Sequence, residues 1–202
     1  MSKFSKKFNN LIDFVNFTHE FQQVIRVARI PFGDRMENDA EHSYQLAMVA
    51  WFLIDQDKLK LNKELCFMYA LSHDLIEVYA GDTPVHDKKA AISKHEREEK
   101  ALKEIKKRFS KFKSLISIIE RYEKRIDEES KFIYALDKIL PPIQCYLEGG
   151  AIWKEFGMSL QDVIDNKNHK VALSKDVNKY WKELLKELIK SQKKLFPKHS
   201  SI

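Results

Sequence analysis

The chain is poor in the residues that break helices or cross-link small folds, with 5 Gly, 5 Pro and 2 Cys among 202. Few turn-formers beside plentiful Lys, Glu, Leu and Ile argue against a many-stranded sheet and for helices joined by short connections. Cys66 and Cys145 stand far apart in apolar surroundings and form no CxxC pair, so they define no disulfide framework and read as small core residues. No N-terminal stretch joins a basic start to an apolar run and a small-residue cleavage site. The longest apolar run, Leu46 to Ile54, is far too short to span a bilayer. The default expectation is a cytoplasmic protein with no membrane association.

What is present in quantity is apolar material for a core (44%) and charge for a solvated surface (33%). The formal net charge of +6 invites a nucleic-acid reading. Much of it lies in the Lys-rich stretches Lys100 to Lys113 and Lys182 to Lys194. These also carry Glu at helical spacing, as in Glu183 with Lys186 and Glu187 with Lys190, the pattern of solvated helix faces. A nucleic-acid-binding helical protein, which needs Lys and Arg gathered on one face, is therefore the weaker alternative. The positive field would still favour approach of a small anionic substrate.

Along the chain, apolar spacing predicts a first helix over about Phe8 to Arg29, ended by Pro31 and Gly33, with Asp34 to Ala40 a polar loop. Glu41 to Asp55 reads as a helix apolar on nearly every side, hence central and buried. The next helix, with Asn62 a possible cap, is expected to reach Tyr79 and stop at Gly81. Further helices are expected over about Lys88 to Arg108, Lys113 to Arg125 and Glu128 to Glu148, the last bent or interrupted by Pro141 and Pro142. A short helix near Ile152 to Phe156 and a long amphipathic one over Ser174 to Leu195 complete the outline. No linker marks a second domain.

Four places carry polar residues where the surrounding pattern is apolar: Glu41-His42, Ser72-His73-Asp74, Glu77 with Asp82, and Asp137. An imidazole and a carboxylate side by side within Met68 to Ile76 are costly to bury without partners. A divalent cation is such a partner, since neutral imidazole and carboxylate are both good ligands. His42 and Asp137 stand on neighbouring helices where they could complete the set. Glu77, four positions after His73, would share its face without binding the ion.

The string Glu41-His42-Ser43-Tyr44-Gln45-Leu46-Ala47-Met48-Val49-Ala50, followed by Leu71-Ser72-His73-Asp74-Leu75-Ile76-Glu77-Val78-Tyr79-Ala80-Gly81-Asp82-Thr83-Pro84, resembles the HD superfamily, and within it the bacterial 5′-deoxynucleotidases and related HD-domain-containing proteins. Ala135-Leu136-Asp137-Lys138 matches the place of that family's last aspartate. The resemblance covers about Phe21 to Glu148. It implies an all-α HD-domain helical bundle, with residues 149–202 as additional C-terminal helices on a single domain of 1–202. It further implies that His42, His73, Asp74 and Asp137 hold one divalent metal ion (Mn, Co, Fe, Ni, Zn or Mg). Glu77 would handle protons near the attacking water and Asp82 would stand near the substrate. The implied activity is hydrolysis of (deoxy)nucleoside 5′-monophosphates to nucleoside and phosphate, and similar proteins are often homodimers.

A phosphate ester also needs cationic contacts. The candidates are Arg26, which stands close to an arginine that touches substrate in similar proteins, with Arg29 and Arg35, and more weakly Lys88 and Lys89. In one departure, Val27 stands where the bacterial deoxynucleotidases place a base-stacking tryptophan, leaving Phe32 or Trp51 to supply a stacking ring. Trp51 also suits the core. The competing enzymatic reading is an HD phosphohydrolase acting on another phosphate ester or on a nucleoside triphosphate.

Overall fold

The computed structural model describes residues 4–31, 33, 35–82 and 92–197, so Phe32, Lys88 and Lys89 lie outside it. Helix α1 spans Lys6–Gln22 and is capped by Ser5, whose hydroxyl accepts the Phe8 N–H at 3.3 Å. It ends seven residues before the expected Arg29. Val24, Ile25 and Val27 are β-branched and prefer an extended chain, and Ile25–Arg29 forms strand β1. This pairs antiparallel with β2, Met36–Asn38, setting Ile25 opposite Asn38 and Arg29 opposite Met36. The supposed polar loop thus contains a strand and the start of the next helix.

Helix α2, Asp39–Gln56, begins with a capping box. Asn38 Oδ1 accepts the Glu41 N–H at 3.0 Å, and Glu41 Oε2 accepts the Asn38 N–H at 3.1 Å. Leu46, Ala50, Leu53 and Ile54 face the core, but Tyr44, Met48, Trp51 and Phe52 are exposed. The helix is central without being buried all round. Trp51 faces outward, donating to Asp55 Oδ2 at 3.0 Å, so it is not a core residue.

Helix α3 covers Lys63–Ser72, with Asn62 Oδ1 accepting the Leu65 N–H at 3.1 Å. Instead of running on to Tyr79, the chain tightens. Leu75 donates to Ser72 C=O at 3.3 Å and Glu77 to Asp74 C=O at 2.8 Å, turns of three residues that replace the α-helical ladder. A one-turn helix α4, Glu77–Ala80, follows and ends at Gly81, whose φ of 71° suits glycine alone.

Beyond the undescribed stretch come α5 (Lys94–Arg108), α6 (Lys113–Lys124) and α7 (Glu128–Leu147). The expected start of α5 at Lys88 falls outside the described residues. Helix α7 runs unbroken through Pro141 and Pro142. An interior proline costs roughly 3 kcal/mol, but α7 packs against α2, α3, α6 and the C-terminal helices, and burial of Leu136, Ile139, Leu140 and Pro142 offsets that cost.

The C-terminal part forms α8 (Ala151–Glu155), α9 (Leu160–Val171), α10 (Lys175–Lys190) and α11 (Gln192–Leu195). The sequence reading placed no helix over α9. Of the amphipathic positions on the last helices, Leu188 and Leu195 are buried and Tyr180 and Leu184 pack on the core. Gly150 permits this docking, since a side chain there would meet the Leu195 carbonyl oxygen at 1.9 Å.

Two apolar clusters result. The larger joins α2, α3, α7 and the C-terminal helices around Tyr69, Leu136 and Trp181. The smaller joins α1, α4 and α5 around Phe17, Ile76 and Ile105. The tightened turn at His73 to Ile76 lies on the seam between them. No helix among the described residues is long and apolar enough to cross a membrane.

Candidate metal centre

Four side chains, from α2, α7 and the tightened turn, meet at that seam. Each of His42, His73, Asp74 and Asp137 offers a ligand atom, and these atoms all lie within 4.8 Å of one another. His42 stands on the first turn of α2 and Asp137 in mid-α7, with His42 Nε2 3.0 Å from Asp137 Oδ1. His73 and Asp74 occupy the tightened turn, where His73 Nε2 lies 2.9 Å from Asp74 Oδ2 and 3.8 Å from Asp137 Oδ1.

The tautomer of His73 tests whether a cation suits this cluster. His73 Nδ1 lies 2.9 Å from the Ala70 carbonyl, and a carbonyl only accepts, so Nδ1 carries a proton. In the neutral ring, Nε2 is then a lone pair directed at two carboxylate oxygens, with no hydrogen-bond partner of its own. Lone pair against anion is unfavourable, so the position calls for positive charge, either a proton on Nε2 or a cation. A divalent cation with imidazole and carboxylate ligands fits that requirement.

The electrostatics show the same demand for positive charge beside the carboxylates. Burial, aided by Arg26, lowers the His42 pKa to about 4 and keeps its ring neutral. Burial opposes ionisation of Asp74, but His73 and Arg26 outweigh it and hold the carboxyl below its usual range. Asp137 is likewise held low against burial, chiefly by Lys138 and His42. His73 is raised, burial being outweighed by Asp74 and Asp137.

Around the four lies a shell that sequence reading passed over. Glu37 Oε2 is 3.7 Å from His42 Nδ1, and Glu37 Oε1 accepts from Gln144 Nε2 at 3.1 Å. Asp39, wholly buried at the start of α2, is pushed up to about 7 by burial and by Asp74. Lys138 pairs with the Asp137 carboxylate. The available signal was local: Glu37 and Asp39 flank an N-cap within five residues of His42, and Lys138 adjoins Asp137.

Strand β1 carries Arg26 into this shell. Its Nη1 donates to Asp74 Oδ2 at 2.7 Å and to Asp39 Oδ1 at 2.9 Å, locking one metal-facing carboxylate to one behind it. Replacing Arg26 with Met strips both buried carboxylates of their cation. We expect a loss of about 3–5 kcal/mol in stability, read as a lower urea midpoint; an unchanged midpoint would mean that the carboxylates find other partners.

The remaining candidates divide. Glu77 is buried, and burial with the negative Asp74, Asp39 and Asp82 raises its pKa well above the ordinary range. Asp82 Oδ2 accepts the Val27 N–H at 3.4 Å. Both line a cavity of about 630 Å³, together with Arg26, His73, Asp74 and Asp137. Arg29 and Arg35 do not line it: Arg29 donates to Glu155 at 2.8 Å and Arg35 to Glu41 at 2.8 Å, both toward solvent. Trp51 is also absent from the walls, where the aromatic side chains are Tyr122, Tyr134 and Trp153.

An all-helical bundle with two imidazoles and two carboxylates converging beside a cavity defines a class of helical metal-site proteins. Residues 19–181 match the HD domain family. The chain belongs to that family, whose fold and cluster imply a divalent metal. It is 31% identical over 131 residues to the 5′-deoxynucleotidase HDDC2 of Mus musculus, the match covering 63% of this chain and 64% of that protein. The chain thus spans just under two thirds of that relative's length. A crystal structure described as a predicted metal-dependent phosphohydrolase from Magnetospirillum magnetotacticum MS-1 superposes with a TM-score of 0.81. It is 26% identical and covers 96% of this chain and 100% of its own. A conserved hypothetical protein from Pyrococcus furiosus, 22% identical with a TM-score of 0.61 over 89% of this chain and 99% of its own, shares the fold.

Proposed function

We propose that the protein is a metal-dependent phosphohydrolase that cleaves (deoxy)nucleoside 5′-monophosphates to nucleoside and phosphate. The observation that carries this reading is the convergence of the lone pair of His73 Nε2 with His42, Asp74 and Asp137 at the wall of the cavity. The relatives named 5′-deoxynucleotidase supply the substrate class. The cavity has the size of an ordinary small-molecule site.

In this reading His42, His73, Asp74 and Asp137 hold the ion, of which Mn, Co, Fe, Ni, Zn and Mg all suit the donor set. When bound, a divalent cation polarises a phosphoryl oxygen and lowers the pKa of water. Arg26 keeps Asp74 turned toward the ligand position by gripping it from the Asp39 side. Glu77, whose carboxyl burial and the neighbouring Asp74, Asp39 and Asp82 hold above its ordinary range, is the group that orients the water or returns a proton to the departing 5′ oxygen. Asp82, fixed by the Val27 N–H, borders the same cavity and orients the substrate.

Metal analysis of the purified protein, joined to a phosphate-release screen over nucleoside mono- and triphosphates and sugar phosphates, tests this directly. The expected result is bound divalent metal and free phosphate from 5′-monophosphates, abolished by chelation. Pyrophosphate or triphosphate as product would favour the triphosphohydrolase alternative, and no phosphate release from any ester would remove the reading.

A further inference from the structure

Phosphoryl oxygens need a cation besides the metal, and most cationic side chains around the cavity are already committed. Arg26 is bound to Asp39 and Asp74, Lys138 to Asp137, and Lys94 to Glu98, while Lys170 donates to Asn166 at 3.3 Å. Lys124 also lines the cavity but is exposed, and the Arg125 guanidinium lies over the Tyr134 ring at 4.6 Å, whereas Lys167 is neither exposed nor held by another described side chain. It lies on α9, lines the cavity, and is 8% exposed, yet its side chain makes no hydrogen bond or ion pair with any described residue. Its place in the helix is an apolar one, in the stripe Leu160, Val163, Ile164, Lys167, Val171. A lysine whose stem is buried and whose ammonium opens only onto a cavity, with no carboxylate paired to it, favours an anion in that cavity.

The geometry points to Lys167 as a substrate-binding residue, whose ammonium donates to a phosphoryl oxygen of an ester bound in the cavity that Glu77 and Asp82 also line. This rests on the phosphohydrolase reading and supplies the cation that Arg29 and Arg35, turned to Glu155 and Glu41, do not. The charges that act on Lys167 include Lys138, Asp137 and Arg26, so it lies within the field of the metal centre. Burial and Lys138 push its pKa down to about 7; a phosphate dianion beside it favours the charged form.

Lys167→Met keeps the length and apolar stem of the side chain and removes only the donor. We expect the inhibition constant of inorganic phosphate and the KM of the ester both to rise roughly 10- to 100-fold, the scale of a lost hydrogen bond to a charged group. Metal content and melting temperature should be retained. Lys167→Gln, which keeps a neutral donor, should fall between the two. Unchanged phosphate inhibition and KM in both variants overturn the assignment and leave the phosphohydrolase reading standing. If the unaltered protein cleaves no ester, that reading falls by itself. Thermal stabilisation by inorganic phosphate in the unaltered chain, absent in Lys167→Met, would still support an anion site, and equal stabilisation of both would overturn it. A measurement on the unaltered chain is independent of how the variants fold: reductive methylation of Lys167, read by peptide mass spectrometry, should be slowed by phosphate. Equal labelling with and without phosphate counts against the site.

Discussion

Asp137→Asn is expected to release the metal and with it the activity. Asp137 faces His42 at 3.0 Å and His73 at 3.8 Å, so it joins the imidazole of α2 to that of the tightened turn. The amide has the same shape but removes one negative charge from a cluster that must balance a divalent ion. Loss of an outer partner to a ligand typically weakens metal binding by about 10- to 100-fold, and loss of a direct ligand should exceed this. Turnover should fall on the order of 1,000-fold at limiting metal, because polarisation of the phosphoryl group depends on the bound cation. Elemental analysis and phosphate release at several metal concentrations would check both. The helical circular dichroism should be unchanged. Full metal content in the variant would show that Asp137 is not a ligand.

Glu77→Gln should give the opposite pattern, with metal retained and turnover lost. Glu77 sits one turn beyond His73 and Asp74 and lines the cavity, but it is grouped with Asp39 and Asp74 rather than with the two imidazoles. Its pKa is raised by burial and by three neighbouring carboxylates. Glutamine keeps the volume and removes the exchangeable acid proton. A fall of about 100- to 10,000-fold in kcat is expected, the usual range for a general acid–base group, with KM nearly constant. Near-normal kcat would remove Glu77 from proton transfer. A matching loss of metal would instead make it part of the ion's coordination.

The two variants probe features that differ in how visible they are in the sequence. His42, His73, Asp74 and Asp137 are conspicuous because each interrupts an apolar pattern, and the structure brings all four together. The β1–β2 hairpin was hidden because Val24, Ile25 and Val27 fit a continued helix as well as a strand, and only pairing with Met36–Asn38 selects between them. The outward face of α2 is illegible for a different reason. Tyr44, Met48, Trp51 and Phe52 are apolar, and periodicity alone does not tell a buried apolar face from an exposed one. Helix α9 escaped notice because Asn166, Lys167, Asn168 and His169 dilute its apolar stripe, although Ser159 and Asp162 form a capping box at its start. The residue that blurs the pattern there, Lys167, is the one that lines the cavity. The stop at Ser72 is set by three-residue hydrogen bonds that no residue type announces.

The paired prolines of α7 bear on how the metal-facing carboxylate is held. A proline has no N–H to return to the carbonyl four residues earlier, and for Pro141 and Pro142 those carbonyls belong to Asp137 and Lys138. The backbone is thus loosened at the turn where the carboxylate and its lysine sit, while side-chain contacts to His42 and between the two residues tie that turn down. A cation held by Asp137 would therefore rest on the turn of the longest described helix whose own ladder is two hydrogen bonds short.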